Sequence, residues 1–212
     1  MSVSGIAASL LNFVNIFIGH LRGGLGVVAT VSCALIGAIS GSGLTGVAAI
    51  GPLLIPEMEK QGYPREYATA LIANASLLGL LIPPSVTMIV YGWVTDTSIL
   101  ACFLATLGPG LLIMLSFSLV NIRMARKFPL KLNEPPKGAA FVAEASSRGF
   151  KATPALLMPV IILGGIYGGI MTPTEAAGVA VVYSIPIAIY VYKGLTWRGL
   201  MKALTGAGRT IG

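Results

Sequence analysis

Long uncharged, mostly apolar runs alternate along this chain with short polar segments. Asp, Glu, Lys and Arg are all missing from residues 23–56, 67–95, 97–122, 152–174 and 176–192. A helix needs about 20 mostly apolar residues to cross a hydrocarbon core, and each run is long enough to hold such a helix. The pattern predicts an all-α integral membrane protein.

The first run, 23–56, predicts a re-entrant helical hairpin. Its 34 residues are interrupted by Ser40, Gly41, Ser42 and Gly43, with no charged loop where two full spans would meet. Two helices of about 15 residues each rise only about 22 Å, less than the hydrocarbon thickness. Irregular backbone at that depth is tolerated only inside protein or beside a watery cavity. We therefore expect the hairpin tip to lie inside protein or to line a watery cavity.

The second run, 67–95, predicts a broken transmembrane helix. Gly79 and then Pro83, Pro84 and Ser85 interrupt it near its middle. Each proline lacks a backbone donor and disfavours the helical conformation of the residue before it. The two half-helices should meet near mid-membrane, in contact with the hairpin tip.

The rest of the chain predicts further membrane helices and two helices in the interface plane. Residues 97–122 should form a transmembrane helix kinked at Gly108-Pro109-Gly110, 123–151 a loop, and 152–192 two more transmembrane helices. The turn between those two contains Thr172-Pro173-Thr174-Glu175, a capping-box pattern. Residues 1–22 and 196–212 show helical spacing of apolar side chains, which predicts interfacial helices. For 1–22, an ordinary spanning helix is the alternative.

Charge sets the expected orientation. Only 10% of the residues are charged and the mean hydropathy is +0.87, whereas soluble domains carry about 25% charged residues. Seven of the fourteen basic residues lie within 123–151, as in a cytoplasmic loop of a membrane protein. The hairpin should then open to the cytoplasm, with Asp96 and Glu175 at the outer face. Such a distribution does not suit nucleic-acid binding.

The two helix breaks are the candidate binding site. Interrupted helices offer unpaired amides to anions, and carbonyls and hydroxyls to a hard cation such as sodium. Asn74 precedes the second break and joins Ser40, Gly41, Ser42, Gly43, Pro83, Pro84 and Ser85 as a candidate. The alternatives are a small-residue packing site at the tip and a purely structural proline kink.

Other polar residues give no catalytic pattern. His20 has no nearby acid partner, and Cys33 and Cys102 lie far apart inside apolar runs, as small buried hydrophobes would. The sequence contains no paired carboxylates, metal cluster or phosphate loop, so we expect neither an enzyme nor a bound cofactor.

Several motifs, in this order, resemble the large permease subunit of TRAP transporters, the DctM-like family. They are Ala38-Ile39-Ser40-Gly41-Ser42-Gly43, Ile55-Pro56-Glu57-Met58, Leu81-Ile82-Pro83-Pro84-Ser85, Pro159 to Ile170, and Thr172-Pro173-Thr174-Glu175-Ala176-Ala177. The resemblance covers nearly the whole chain.

The resemblance implies a secondary transporter of the bacterial inner membrane. Such a transporter imports organic anions, typically C4-dicarboxylates or other carboxylates, with sodium as the coupling ion. Its partners are a small permease subunit (DctQ-like) and a periplasmic solute-binding protein. The family fold contains two inverted repeats, each with a hairpin and a broken helix, linked to a scaffold by arm helices. This chain would supply one repeat half, with arms at 1–22 and 196–212.

Family members are about twice this length, which implies that the chain is a central part of that plan. A second repeat would then hold the other half of the ligands. The alternative is a truncated, non-transporting membrane scaffold or remnant of such a subunit.

Overall fold

The computed structural model describes residues 4–131, 139–192 and 195–211, where the regular structure is entirely helical. Residues 132–138 of the predicted loop, 193–194, and the ends of both predicted arms (1–3 and 212) lie outside the described residues. The helices are α1 (Ser4–Ile18), α2 (Gly24–Ser40), α3 (Gly43–Gln61), α4 (Arg65–Ala75), α5 (Leu78–Leu81), α6 (Val86–Val94), α7 (Ile99–Ala125), α8 (Ala139–Tyr167), α9 (Pro173–Pro186), a short π-helix (Ile187–Val191) and α10 (Trp197–Ile211).

Helices α2 and α3 form a hairpin that reverses at Gly41 and Ser42. Gly41 takes a left-handed conformation with φ of +66°, and its amide donates to Gly37 O at 2.6 Å. This is the usual glycine ending of a helix, because a β-carbon disfavours positive φ. Ser42 is extended, and α3 follows.

The second hairpin helix is longer than the predicted segment. Helix α3 has 19 residues and continues past Pro56 to Gln61 before Gly62, at φ of +102°, ends it. Four of the residues 57–61 are polar, the exception being Met58, and all five are good helix formers. The helix therefore leaves the apolar run without ending where the charges begin.

The broken helix consists of α4, α5 and α6. The chain is extended at Ile82 and Ser85, on either side of Pro83 and Pro84, and the helical stretches before and after the break are bent by 44°. A second irregularity, not predicted, separates α4 from α5 at Ser76, whose hydroxyl donates to Ala73 O at 2.7 Å.

Three helical stretches in the described part of the chain are long and apolar enough to cross a membrane, namely Ile99–Ala125, Ala145–Tyr167 and Pro173–Val191. Helix α7 passes through Pro109 as one element. The capping box is present, because Thr172 Oγ1 accepts from Glu175 N at 3.3 Å and Glu175 Oε2 accepts from Thr172 N at 2.7 Å.

The predicted end of the basic loop is wrong. The segment predicted as a loop to residue 151 is helical from Ala139, where α8 begins. The charge pattern predicts the start of this helix at residue 152, directly after the last charged residue of the segment, Lys151. A helix can, however, extend beyond the hydrocarbon core into water with ordinary helix-forming residues, and charge alone does not end it.

Helix α1 packs against α2 and α8 and buries Ala7, Leu10, Leu11 and Val14. Its 15 described residues are about 22 Å long at 1.5 Å per residue. The assignment of 1–22 as an arm rather than an ordinary transmembrane helix stays a prediction. The main core joins residues of α1 to those of α2, α3, α4 and α8.

Both ends of the hairpin lie beside the start of the basic segment that follows α7. Lys131 N donates to Gln61 O at 2.9 Å, and Arg22 Nη2 donates to Phe128 O at 3.2 Å. The hairpin base and residues 128–131 therefore share one end of the bundle. The location of that end in the cytoplasm remains a prediction from charge.

The orientation can be tested by cysteine labelling in a background lacking Cys33 and Cys102. Ser147 and Thr97 are both exposed. In intact cells, an impermeant thiol reagent should label Thr97→Cys but should label Ser147→Cys only after permeabilisation. The reverse pattern would overturn the orientation.

Candidate functional site

Two local hydrogen bonds lie at the hairpin tip. Ser40 Oγ donates to Ser42 O at 3.3 Å, and Ser42 N donates to Ser40 Oγ at 3.3 Å. Both serine side chains are half-buried, and Gly41 and Gly43 are buried. The tip thus concentrates hydroxyl and carbonyl oxygens in about four residues at the junction of two helix ends.

The structure places the tip directly against the proline break. Val86 N, at the start of α6, donates to Gly41 O at 3.2 Å. A β-carbon added at Gly41 would lie 3.2 Å from Pro84 O and 3.0 Å from Val86 Cγ2. The hairpin tip therefore provides a hydrogen-bond acceptor for Val86 N, which has no acceptor within its own helix.

Three glycines, at the tip and one turn behind it, allow the hairpin and the broken helix to approach this closely. A β-carbon added at Gly37 of α2 would lie 2.2 Å from Gly79 Cα of α5. Similarly, a β-carbon at Gly43 would lie 2.9 Å from Ser76 O. The backbones of α2 and α5 therefore touch, and any side chain at the crossing would separate the tip from the break.

Ser85 is the most enclosed polar group of the site. It is fully buried, and its Oγ has no hydrogen-bond partner among the residues that the structure describes. It stands at the N-terminal end of α6 without capping it. Pro83 beside it is also buried, whereas Pro84 is half-buried. A buried hydroxyl without a partner costs free energy of about 1–3 kcal/mol, so it marks a place for a polar ligand or an ordered water.

Asn74 does not join this group. Its side chain is exposed, and its Nδ2 donates to Ala70 O at 2.7 Å, within its own helix. Ser76, which follows the last residue of α4 and was not among the predicted site residues, is the residue that reaches the hairpin, beside Gly43 and Gly46. Residues two apart in a helix lie about 200° apart around its axis, which explains why only one of the two faces the tip.

The oxygens gathered here are neutral. The runs that contain the tip and the break, 23–56 and 67–95, contain no Asp or Glu. Hydroxyl and carbonyl dipoles suit a monovalent hard cation, and helix ends at one point also present amides to an anion. The arrangement can thus bind a small ion without burying a carboxylate.

A second polar cluster, which we did not predict, lies at the hairpin base. Asn121 of α7 is fully buried, donates to Gly23 O at 2.7 Å and accepts from the Tyr67 hydroxyl at 3.2 Å. Gly26 makes room for it, because a β-carbon there would lie within 2.1 Å of Asn121 Oδ1. One side chain therefore connects the start of the hairpin, α4 and α7.

The full length of this chain matches a known protein family. Residues 1–212 match the family described as the Tripartite ATP-independent periplasmic transporter, DctM component. The C4-dicarboxylate TRAP transporter large permease protein DctM of Pseudomonas aeruginosa is 43% identical over 209 residues, which are 99% of this chain and 48% of that protein.

Other relatives are named for different substrates. The ectoine/5-hydroxyectoine TRAP transporter large permease protein UehC of Ruegeria pomeroyi is 42% identical over 190 residues, 90% of this chain and 44% of that protein. The sialic acid TRAP transporter large permease protein SiaM of Vibrio cholerae is 36% identical over 209 residues, 96% of this chain and 47% of that protein. The chain thus spans about half the length of these relatives.

Permeases of the bacterial inner membrane, rather than enzymes, make up this family, in agreement with the membrane-length helices described above. The family match extends over all 212 residues, and the relatives align with nearly the whole chain. The chain therefore belongs to the DctM family of TRAP transporter large permeases.

Proposed function

We propose that this chain supplies one hairpin and one broken helix to a sodium-coupled importer of organic anions, and that Ser40, Ser42 and Ser85 help to bind the coupling sodium ion. The observation that supports this most directly is the contact between Gly41 O and Val86 N, which joins the two interruptions at one point. Interrupted helices that meet in this way are typical of substrate and ion sites in secondary transporters.

Sodium is favoured by the chemistry of the oxygens at this contact. Pro84 O lies beside Gly41, Ser42 O accepts a hydrogen bond from Ser40 Oγ at 3.3 Å, and Ser85 Oγ is buried without a partner in the described chain. A divalent cation would favour carboxylate ligands, which neither run provides. A monovalent cation can be held by neutral dipoles alone.

Substrate and partners follow from the family rather than from the site. The family description names a tripartite system, so we propose a small DctQ-like permease subunit and a periplasmic solute-binding protein as partners. The relatives are named for C4-dicarboxylates, ectoine and sialic acid. We therefore favour an organic carboxylate as the substrate. Amides at helix N-terminal ends would meet its negative charge.

The test is sodium-dependent uptake by the complete large permease that contains this segment, reconstituted in liposomes with both partners. Ser42→Ala removes one oxygen while keeping a small residue at the tip. The sodium concentration for half-maximal uptake should rise roughly three- to tenfold, equivalent to about 0.7–1.4 kcal/mol. Ser85→Ala should act in the same direction.

Ser116→Ala is the matched control. Ser116 is exposed on α7 and its hydroxyl donates to Leu112 O at 2.8 Å, far along the chain from both breaks. The sodium dependence of uptake by the Ser116→Ala variant should equal that of the wild type. If Ser42→Ala and Ser85→Ala also leave the sodium dependence unchanged, neither hydroxyl is a ligand, and the tip is a packing site of small residues.

A further inference from the structure

A cleft at the hairpin base is separate from the site at the tip. It lies between α1, the first turns of α2, the last turns of α3 and Lys131, and it consists of two adjoining cavities of about 120 Å³ and about 280 Å³. Both cavities are lined by Asn15, Leu25 and Glu57. The two cavities are therefore neighbours and form the two chemically different ends of the cleft.

The smaller end is mostly apolar. Apart from the shared residues, it is lined mainly by aliphatic side chains, namely Ala8, Leu11, Val28, Leu53 and Leu54. Leu11, Val28 and Leu54 are buried and belong to the main core, so this wall is fixed by packing. An apolar wall of this kind favours a hydrocarbon group over a small polar solute.

The larger end is charged. Lys60, Gln61 and Lys131 line it together with Glu57. Arg65 and Glu59 form an ion pair at 3.8 Å. Among the residues that the structure describes, the side chains of Glu57, Lys60 and Lys131 have no hydrogen bond or ion pair. Two cationic groups and one anionic group thus face the same cavity and are available to a ligand.

We propose that this cleft binds one zwitterionic aminophospholipid of the phosphatidylethanolamine type. Its phosphate would contact Lys60 and Lys131, its ammonium group would contact Glu57, and one acyl chain would enter the apolar end. Glu57, at the junction of the two cavities, disfavours a purely anionic headgroup or a free phosphate by like-charge repulsion. A soluble zwitterion would leave the apolar end unfilled.

The position of the cleft in the fold agrees with a lipid. Arg22, Lys131 and both ends of the hairpin lie at one end of the bundle, where lysine side chains commonly reach toward headgroups. The cleft lies between α1 and the hairpin, since Asn15 belongs to α1 and Glu57 to α3. A lipid bound there would connect the predicted arm to the hairpin.

Native mass spectrometry tests this proposal on the full chain. The protein is incorporated into nanodiscs containing equal amounts of phosphatidylethanolamine, phosphatidylglycerol and phosphatidylcholine, and the lipids that stay bound on release are counted. The wild type should retain one phosphatidylethanolamine. Lys60→Gln combined with Lys131→Gln should lower that retention about tenfold, as expected for the loss of charged contacts.

Two further variants separate the two ends of the lipid. Glu57→Gln should abolish the preference for phosphatidylethanolamine over phosphatidylglycerol, because it removes both the ammonium contact and the repulsion. Ala8→Phe should lower retention of every lipid by filling the apolar end while leaving the charges in place. Lys127→Gln, an exposed basic residue at the same end of the bundle, is the matched control and should behave as the wild type.

The headgroup charges lie on exposed positions, so these variants should fold, which gel filtration can check. The proposal is overturned if the wild type retains no lipid, if it retains phosphatidylglycerol at least as well as phosphatidylethanolamine, or if the double lysine variant matches Lys127→Gln. A free phosphoethanolamine that displaces the lipid at low concentration would also overturn it, because the apolar end would then contribute nothing.

Discussion

Gly37→Ala is expected to destabilise the chain by about 1–3 kcal/mol and to abolish sodium-dependent uptake by the complete subunit. The added β-carbon would lie 2.2 Å from Gly79 Cα and 2.8 Å from Gly79 N. These are backbone atoms, so no side-chain rotation relieves the overlap. Helices α2 and α5 must move apart, and the tip at Gly41 then loses its hydrogen bond from Val86.

Gly108→Ala is the matched control for this substitution. Gly108 lies inside α7, and a β-carbon there would meet no atom within 4 Å. Since alanine favours a helix over glycine by about 0.5–1 kcal/mol, this variant should be neutral or more stable. The two variants carry the same chemical change, but only Gly37→Ala should lower the thermal midpoint. Equal midpoints for both would show that the crossing of α2 and α5 is not tightly packed.

The two interruptions could be located from sequence because each is a local event. A double proline breaks a helix wherever it occurs, and glycines between two short apolar segments give a turn. Their mutual contact was also foreseeable, since a backbone amide or carbonyl freed inside an apolar environment needs a partner. In the structure, Gly41 O and Val86 N are such a pair.

The side chains that face the contact could not be chosen from sequence. Asn74 and Ser76 flank the break equally well, but helix α4 turns Asn74 outward. The phase of a helix depends on what packs against it, and here Gly43 and Gly46 of the hairpin lie against Ser76. Helix boundaries failed for a related reason at 139–151, because charge marks the edge of the hydrocarbon and not the end of a helix.

The cluster around Asn121 was missed because its partners are distant in sequence. Asn121 lies 98 positions from Gly23 and 54 positions from Tyr67. Local periodicity carries no information about such pairs. The available signal was a single amide in an otherwise apolar run near the end of a predicted helix, since a polar group in such a run usually faces protein rather than lipid.

Asn121→Ala is expected to lower the free energy of unfolding by about 2–3 kcal/mol. The variant loses the 2.7 Å bond to Gly23 O and leaves the half-buried Tyr67 hydroxyl without its acceptor, and each lost hydrogen bond costs about 0.5–1.5 kcal/mol. It also leaves a cavity between α7 and the start of α2. Gly23 O still accepts from Gly26 N and Val27 N, so the helix itself should remain.

Tyr67→Phe and Ser118→Ala separate the hydrogen bond from the cavity. Tyr67→Phe removes only the hydroxyl and should cost about 1 kcal/mol. Ser118→Ala, on the same helix as Asn121, removes a hydroxyl that donates to Met114 O at 2.8 Å within α7 and should cost less than Tyr67→Phe. Thermal unfolding of the purified variants in one detergent gives the order. Because Asn121 joins the hairpin base to α4 and α7, its loss should also speed proteolysis between Leu21 and Gly24. If Asn121→Ala is no less stable than Ser118→Ala, the cluster does not hold the hairpin base.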